Sequence, residues 1–199
     1  MEKENDMELA EETRVVVNLL NKFGALTIDQ IRKMFEGTGF NPKPMISFLC
    51  NSRMIQFIDD NYAVLQNRPE YRPESLYCLW VMLDKIKDKN IAKSSEIRSA
   101  SPCDNGVEVA FINRAKIIEY ISFIDKASIS KVSMIQDTFY TATGCRPGEE
   151  KESLRLYTFV VNDEDVMDTL AEMELTIPFM VAYVEGDLTE VPEIEYYKL

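Results

Sequence analysis

Three successive helix-boundary signals lie between Gly24 and Pro42, and together they leave this stretch little freedom. Leu9, Val16, Leu20 and Phe23, with Val15 and Leu19 beside them, form an apolar stripe at helical spacing over residues 8–23. Gly24 follows the stripe, where a left-handed residue commonly ends a helix. In Leu26-Thr27-Ile28-Asp29-Gln30-Ile31, Thr27 and Gln30 have capping-box spacing, while Leu26 and Ile31 have the spacing of a hydrophobic staple. A second helix therefore begins at Thr27 and runs to about Phe35, its start fixed by a cap worth about 1 kcal/mol. Gly37-Thr38-Gly39 breaks the chain. Asn41-Pro42 then supplies an N-cap and a proline at the first helical position. The third helix runs to about Ser52, with Met45, Ile46, Leu49 and Cys50 facing inward.

Met54–Ile58, Asp59-Asp60-Asn61 and Tyr62–Leu65 read as strand, tight turn, strand. Three short helices followed by a hairpin is the winged-helix order. A polar, proline-marked link, residues 66–73, leads to a fourth helix from about Glu74 to Lys87, with Leu76, Leu79, Trp80 and Leu83 on one face. Residues 90–106 pattern weakly and read as loop. Strands are expected at 107–112, 115–124 and 130–140, and a turn from Gly144 to Glu152. Residues 156–161 form a near-continuous apolar run suited to a central strand. Asn162 is the expected cap of a helix whose first turn holds Asp163, Glu164 and Asp165, with Val166, Leu170 and Met173 inward. A strand at 179–184 then closes a strand–helix–strand unit with the spacing of a parallel crossover. The expected class is α+β. A winged helix-turn-helix occupies residues 1–68, and a small mixed α/β sheet domain occupies 69–199, with its linking helix at 74–87 and its sheet and helix at 107–199.

The chain contains no histidine, which removes Ser-His-Asp and Cys-His catalysis, the imidazole base near neutral pH and every histidine metal ligand. The four cysteines, Cys50, Cys78, Cys103 and Cys145, include no C-x-x-C pair and fit neither a zinc site nor a compact disulfide framework. Reduced thiols and a cytoplasmic location are expected. No stretch approaches the roughly 20 apolar residues of a membrane span, and the acidic first residues are unlike a secretory leader. No G-x-G-x-x-G or phosphate-loop motif occurs, so no cofactor, no metal and no enzymatic activity are expected.

The net charge of −12 is unevenly spread: residues 13–148 hold 18 bases and 14 acids, and residues 149–199 hold 14 acids and three bases. An acidic surface repels nucleic acid, but that argument reaches only the final third. On a helical wheel the outward face of the third helix is Lys43, Ser47 and Asn51, with Arg53 just beyond its end. Arg32 and Lys33 on the second helix are candidate phosphate contacts, whereas Asp59 and Asp60 at the hairpin tip would repel a backbone. With four bases and four acids in residues 27–65, the unit lacks a strong basic footprint. Two partner classes stay open: double-stranded DNA read by these six residues, or a protein docking on the same face, a second copy of the chain included. The acidic final third is either a solvated surface or a face that mimics DNA or binds a basic partner. Trp80, with Tyr77 and Leu83 as neighbours, fits a core between the units better than a base-stacking platform.

Gly24-Ala25-Leu26-Thr27 with Gln30, the hairpin, Leu79-Trp80-Val81-Met82-Leu83-Asp84 and the closing Glu195-Tyr196-Tyr197-Lys198-Leu199 together resemble an uncharacterised bacterial winged-helix family. That family is itself similar to the replication-relaxation proteins of plasmids and integrative elements. The resemblance implies a DNA-linked or mobile-element role and a second domain similar to a nuclease core, and it transfers no catalytic residues. Such a core needs an Asp and an acid-x-Lys pair at strand ends to hold a metal. Here Glu149-Glu150-Lys151 falls in a Gly-Pro turn, with Asp137 upstream of it, and reads as solvated loop. The expected function is that of a non-enzymatic regulator or adaptor. The alternative is an acidic interaction protein that never touches DNA.

Overall fold

The computed structural model describes residues 2–103, 106–143, 155–186, 188 and 190–198. The first unit runs α1 (Glu2–Phe23), β1 (Ala25–Thr27), α2 (Ile28–Met34), α3 (Pro42–Asn51), β2 (Ile55–Ile58) and β3 (Tyr62–Leu65). Gly24 ends α1 at φ +87°, donating its N–H to the Leu20 carbonyl at 2.9 Å. A Cβ there would meet the Glu70 carbonyl oxygen at 2.8 Å, so backbone geometry and space both demand glycine. The capping box of α2 is closed in both directions: the Gln30 N–H donates to Thr27 Oγ1 and the Thr27 N–H to Gln30 Oε1, each at 3.0 Å. Leu26 and Ile31, the staple pair, are both buried. Asn41 Oδ1 accepts from the Lys43 N–H to start α3, which buries Met45 and Leu49. β1, β3 and β2 lie side by side in that order, all antiparallel.

α4 (Pro73–Lys85) buries Leu76, Cys78, Leu79, Trp80, Val81, Met82 and Leu83, so it is apolar nearly all round. A helix of that kind has to be enclosed. α2 and β1 pack on one side of it and β4, β5 and β6 on the other. Gln30, itself fully buried, donates Nε2 to the Leu76 carbonyl at 2.8 Å and so ties α2 to α4 by a hydrogen bond as well.

The remaining elements are α5 (Ser95–Ser99), β4 (Val109–Ile112), β5 (Ile118–Phe123), α6 (Lys131–Thr143), β6 (Arg155–Val161), α7 (Glu164–Glu172), β7 (Phe179–Glu185) and β8 (Glu193–Tyr197). The sheet order is β4–β5–β6–β7–β8. β5, β6 and β7 are mutually parallel, and an antiparallel strand closes each edge. Ile121, Phe123, Val160, Ala182 and Val184 share one hydrophobic core with α4 and the first unit. Tyr157, Phe159, Val161 and Val181 share a second core with Val132, Ile135 and Phe139 of α6 and with Val166 and Leu170 of α7. The second sheet is thus sandwiched between α4 and the α6/α7 pair. The class is α+β, and no helix among the described residues is long and apolar enough to cross a membrane.

The structure differs from the sequence expectations at several points. Residues 131–143 form α6 rather than a strand at 130–140, because Val132, Ile135 and Phe139 recur at helical spacing and all three are buried. α1 begins at Glu2, six residues before its apolar stripe. The cap of α7 is Asp163, whose side chain accepts from the Asp165 N–H at 2.9 Å. Asn162 points elsewhere, donating to the Tyr77 hydroxyl at 3.3 Å. Residues 90–106 hold a 3-10 turn (Ile91–Lys93) as well as α5. The Gly144–Glu152 turn and the acid-x-Lys it contains lie outside the described residues, as does Cys145.

Glu96 of α5 is buried, with Arg114 Nε 3.7 Å away and its Oε2 without a hydrogen-bond partner. Burial, opposed by Arg114, pushes its carboxyl above the usual glutamate range. The folded state therefore holds this proton more tightly than the unfolded chain, and the group's contribution to stability falls as pH rises through the shifted range. Glu96→Gln should raise the melting temperature at neutral pH by roughly 2 °C. The gain should vanish near pH about 4, where the wild-type carboxyl is itself protonated; thermal melts of both proteins across that range check it.

Candidate functional site

α3 presents one face to the first unit's core and the other to solvent. Lys43, Ser47 and Asn51, four residues apart, lie exposed along the outer face, as the helical wheel requires. Arg53 is exposed at the end of α3, with φ +55°. Its N–H bonds the Cys50 carbonyl and that of Met54 the Leu49 carbonyl, both at 2.9 Å. These two bonds make a Schellman motif in which arginine holds the left-handed position usually given to glycine. The conformation costs an L residue about 1–2 kcal/mol, and here it places a guanidinium beyond the helix C-terminus. Among the described residues neither Lys43 nor Arg53 makes an ion pair.

Arg32 and Lys33 stand apart from this group. Arg32 Nη1 lies 2.6 Å from Asp29 Oδ1 and Lys33 Nζ 2.8 Å from Glu36 Oε2, each within one turn, so both charges are locally neutralised. Both residues line a cleft of about 540 Å³ with Phe35, Phe40 and Val191, and no α3 residue reaches it. At the hairpin tip Asp59 and Asp60 are exposed with φ +50° and +58°, in a turn closed by the Asn61 N–H on the Ile58 carbonyl at 3.2 Å.

Reasoning from sequence missed two residues on this face. Phe48 is 52% exposed on α3, and Met54 at the helix corner is 41% exposed. The wheel puts position 48 on the flank of α3, the counterpart of the half-buried Ile46 on the other flank, and only the structure shows that the Phe48 ring is left in solvent. Ile46 and Cys50 are half-buried flanks of the inner face.

The other polar clusters are structural in character. Trp80 is buried in the core around α4 and offers no surface for base stacking. Glu119, on the α4-facing side of β5, accepts from Lys85 Nζ at 2.6 Å and from Asn113 Nδ2 at 2.8 Å. The Tyr196 hydroxyl, held well above the usual tyrosine range by burial and by Asp84, donates to Asp84 Oδ2 at 2.8 Å. These contacts fasten the end of α4 to β5 and to the edge strand β8. Asp137 is exposed on α6. Cys78 is buried, and desolvation pushes its thiol up; Cys50 is half-buried and Cys103 exposed. Among the described residues no group of three or more His, Cys, Asp or Glu side chains is placed to hold a metal ion. Compared with known proteins, the chain matches no family model, no curated protein and no solved structure.

Because Arg53 occupies a glycine-favouring conformation, Arg53→Gly should stabilise the protein by about 1 kcal/mol, read as a rightward shift of the denaturant midpoint with an unchanged slope. The same change removes one of the two unpaired cations of the face.

Proposed function

We propose that residues 1–68 form a winged helix-turn-helix and that the chain is a non-enzymatic adaptor whose α3 face docks a protein partner. The α1–β1–α2–α3–β2–β3 order and the antiparallel β1–β3–β2 sheet support the winged-helix reading. The absence of histidine supports the non-enzymatic one. The observation that carries the choice of partner is Phe48, 52% exposed on the flank of α3 beside its outward face, with Met54 exposed at the helix end. An exposed aromatic and an exposed methionine bordering Lys43, Ser47, Asn51 and Arg53 have the make-up of a protein hot spot, an apolar anchor beside a polar rim. The ion-paired state of Arg32 and Lys33 and the two aspartates at the hairpin tip weigh against a phosphate backbone.

A DNA-binding regulator is the second reading, favoured by the unpaired Lys43 and Arg53 on either side of Ser47 and Asn51, side chains suited to base edges. A mobile-element role is carried by the sequence resemblance alone.

A photo-crosslinking residue introduced as Phe48→benzoylphenylalanine in the full chain should trap a discrete protein adduct in native-host cells. An adduct to nucleic acid alone would overturn the protein reading. In fluorescence anisotropy with duplex DNA at low and physiological salt, two unpaired cations limit the logarithmic salt slope to about −2. A slope of about −4 or steeper, lost with Asn51→Ala and Lys43→Ala, would assign the face to DNA instead.

A further inference from the structure

A cleft of about 550 Å³ lies between the end of α1, the β3–α4 link and the first turn of α4. Lys22, Arg68 and Arg72 line it against a single acid, Glu70, with Tyr71 and Ser75 completing the wall. On a chain of net charge −12 this concentration of positive charge runs against the sign of the whole. None of the α3 surface residues lines this cleft, so it is separate from the docking face.

The cations keep donors to spare. Arg68 is exposed and makes no ion pair among the described residues. Arg72 Nη2 lies 3.7 Å from Glu108 Oε1 and its Nε 4.0 Å from Glu74 Oε2, both longer than a hydrogen bond. Glu108 is satisfied elsewhere, by Lys131 Nζ and the Phe123 N–H, each at 2.9 Å. Lys22 Nζ donates to the Ala100 carbonyl, which holds the ammonium at the rim. Beneath them is the N-terminus of α4, whose cap residue, Arg72, makes no side-chain capping bond. That end carries the positive pole of a 13-residue helix.

Ser75 provides the second, independent observation. It is 7% exposed and lines the cleft, yet its hydroxyl has no hydrogen-bond partner among the described residues. What remains exposed of this residue opens onto the cleft, so its hydroxyl is free to donate to an acceptor seated there, a bond to a charged group being worth about 1.5–3 kcal/mol. We propose that this cleft binds a small phosphate monoester. Lys22, Arg68 and Arg72 surround the phosphate, and the Ser75 hydroxyl and the α4 N-terminus lie beneath it. A phosphate monoester near neutral pH carries a charge of about −1.5 to −2, opposite in sign to a lining in which three cations outnumber one carboxylate. It also presents several acceptor oxygens to the convergent donors, where a carboxylate presents two. The cleft is larger than a phosphate and leaves room for an organic body beside the Tyr71 ring.

The test uses the full chain and two probes, inorganic phosphate and phenyl phosphate, against sodium chloride at equal ionic strength. Both probes should raise the melting temperature, phenyl phosphate more than phosphate, because a ligand of the native state stabilises it by mass action. Ser75→Ala removes a hydroxyl without a protein partner, so its unliganded melting temperature should equal or exceed that of the wild type. Arg68→Gln changes an exposed side chain and should also fold normally. Each variant should weaken probe binding about tenfold by calorimetric titration, the loss expected for one hydrogen bond to a charged group. Identical melts in phosphate and chloride would overturn the proposal, and so would a phosphate effect that survives both substitutions.

Discussion

α4 has no polar side to offer to water. Its helical run from Leu76 to Leu83 is buried on nearly every face, and on its own it would expose apolar side chains all round. The rest of the chain can be understood as a set of solutions to that constraint. The first unit supplies one wall through α2 and β1, and the five-stranded sheet supplies the other through β4, β5 and β6. The core is therefore continuous from Val16 to Leu188, although a polar, proline-marked link separates the two units in sequence. Where α4 reaches the edges of its apolar environment, Gln30 holds its first turn and the Lys85–Glu119 and Asp84–Tyr196 contacts hold its last.

The parts of the fold legible in the sequence are those fixed by local chemistry. Thr27 with Gln30, Asn41 with Pro42, and Gly24 name helix ends because the atoms that satisfy the backbone lie within four residues. α6 was not legible. Val132, Ser133, Ile135 and Thr138 are β-branched or turn-forming, and propensity outweighed the three-residue and four-residue spacing that buries Val132, Ile135 and Phe139. β1 and β8 were not legible because each is a strand only by virtue of its neighbour. β1 is three residues paired to β3, and Glu193-Ile194-Glu195 reads as solvated chain until β7 is there to pair with it.

The candidate site divides along the same line. Lys43, Ser47 and Asn51 follow from periodicity, and the structure leaves them exposed as periodicity requires. The charges of Arg32 and Lys33 were visible in the sequence, but so were Asp29 and Glu36 at three-residue spacing, and it is the pairs that decide what a phosphate would meet. Phe48 carries the opposite lesson: one aromatic ring left in solvent says more about a surface than the count of its charges.

The position of β8 changes what the acidity of the final third means. β8 closes one edge of the five-stranded sheet, and its outward edge meets no further strand among the described residues. A five-residue edge with unsatisfied backbone donors and acceptors is a template on which another chain can continue the sheet. Here the edge carries Glu193 and Glu195, both exposed, and lies beside the exposed Glu185 and Glu190. Two such edges brought together would set like charges directly opposite one another, which is destabilising across a strand pair. Much of the negative charge of this region can thus be understood as insulation: it keeps one folded molecule from polymerising onto the next, and no ligand is required to explain it.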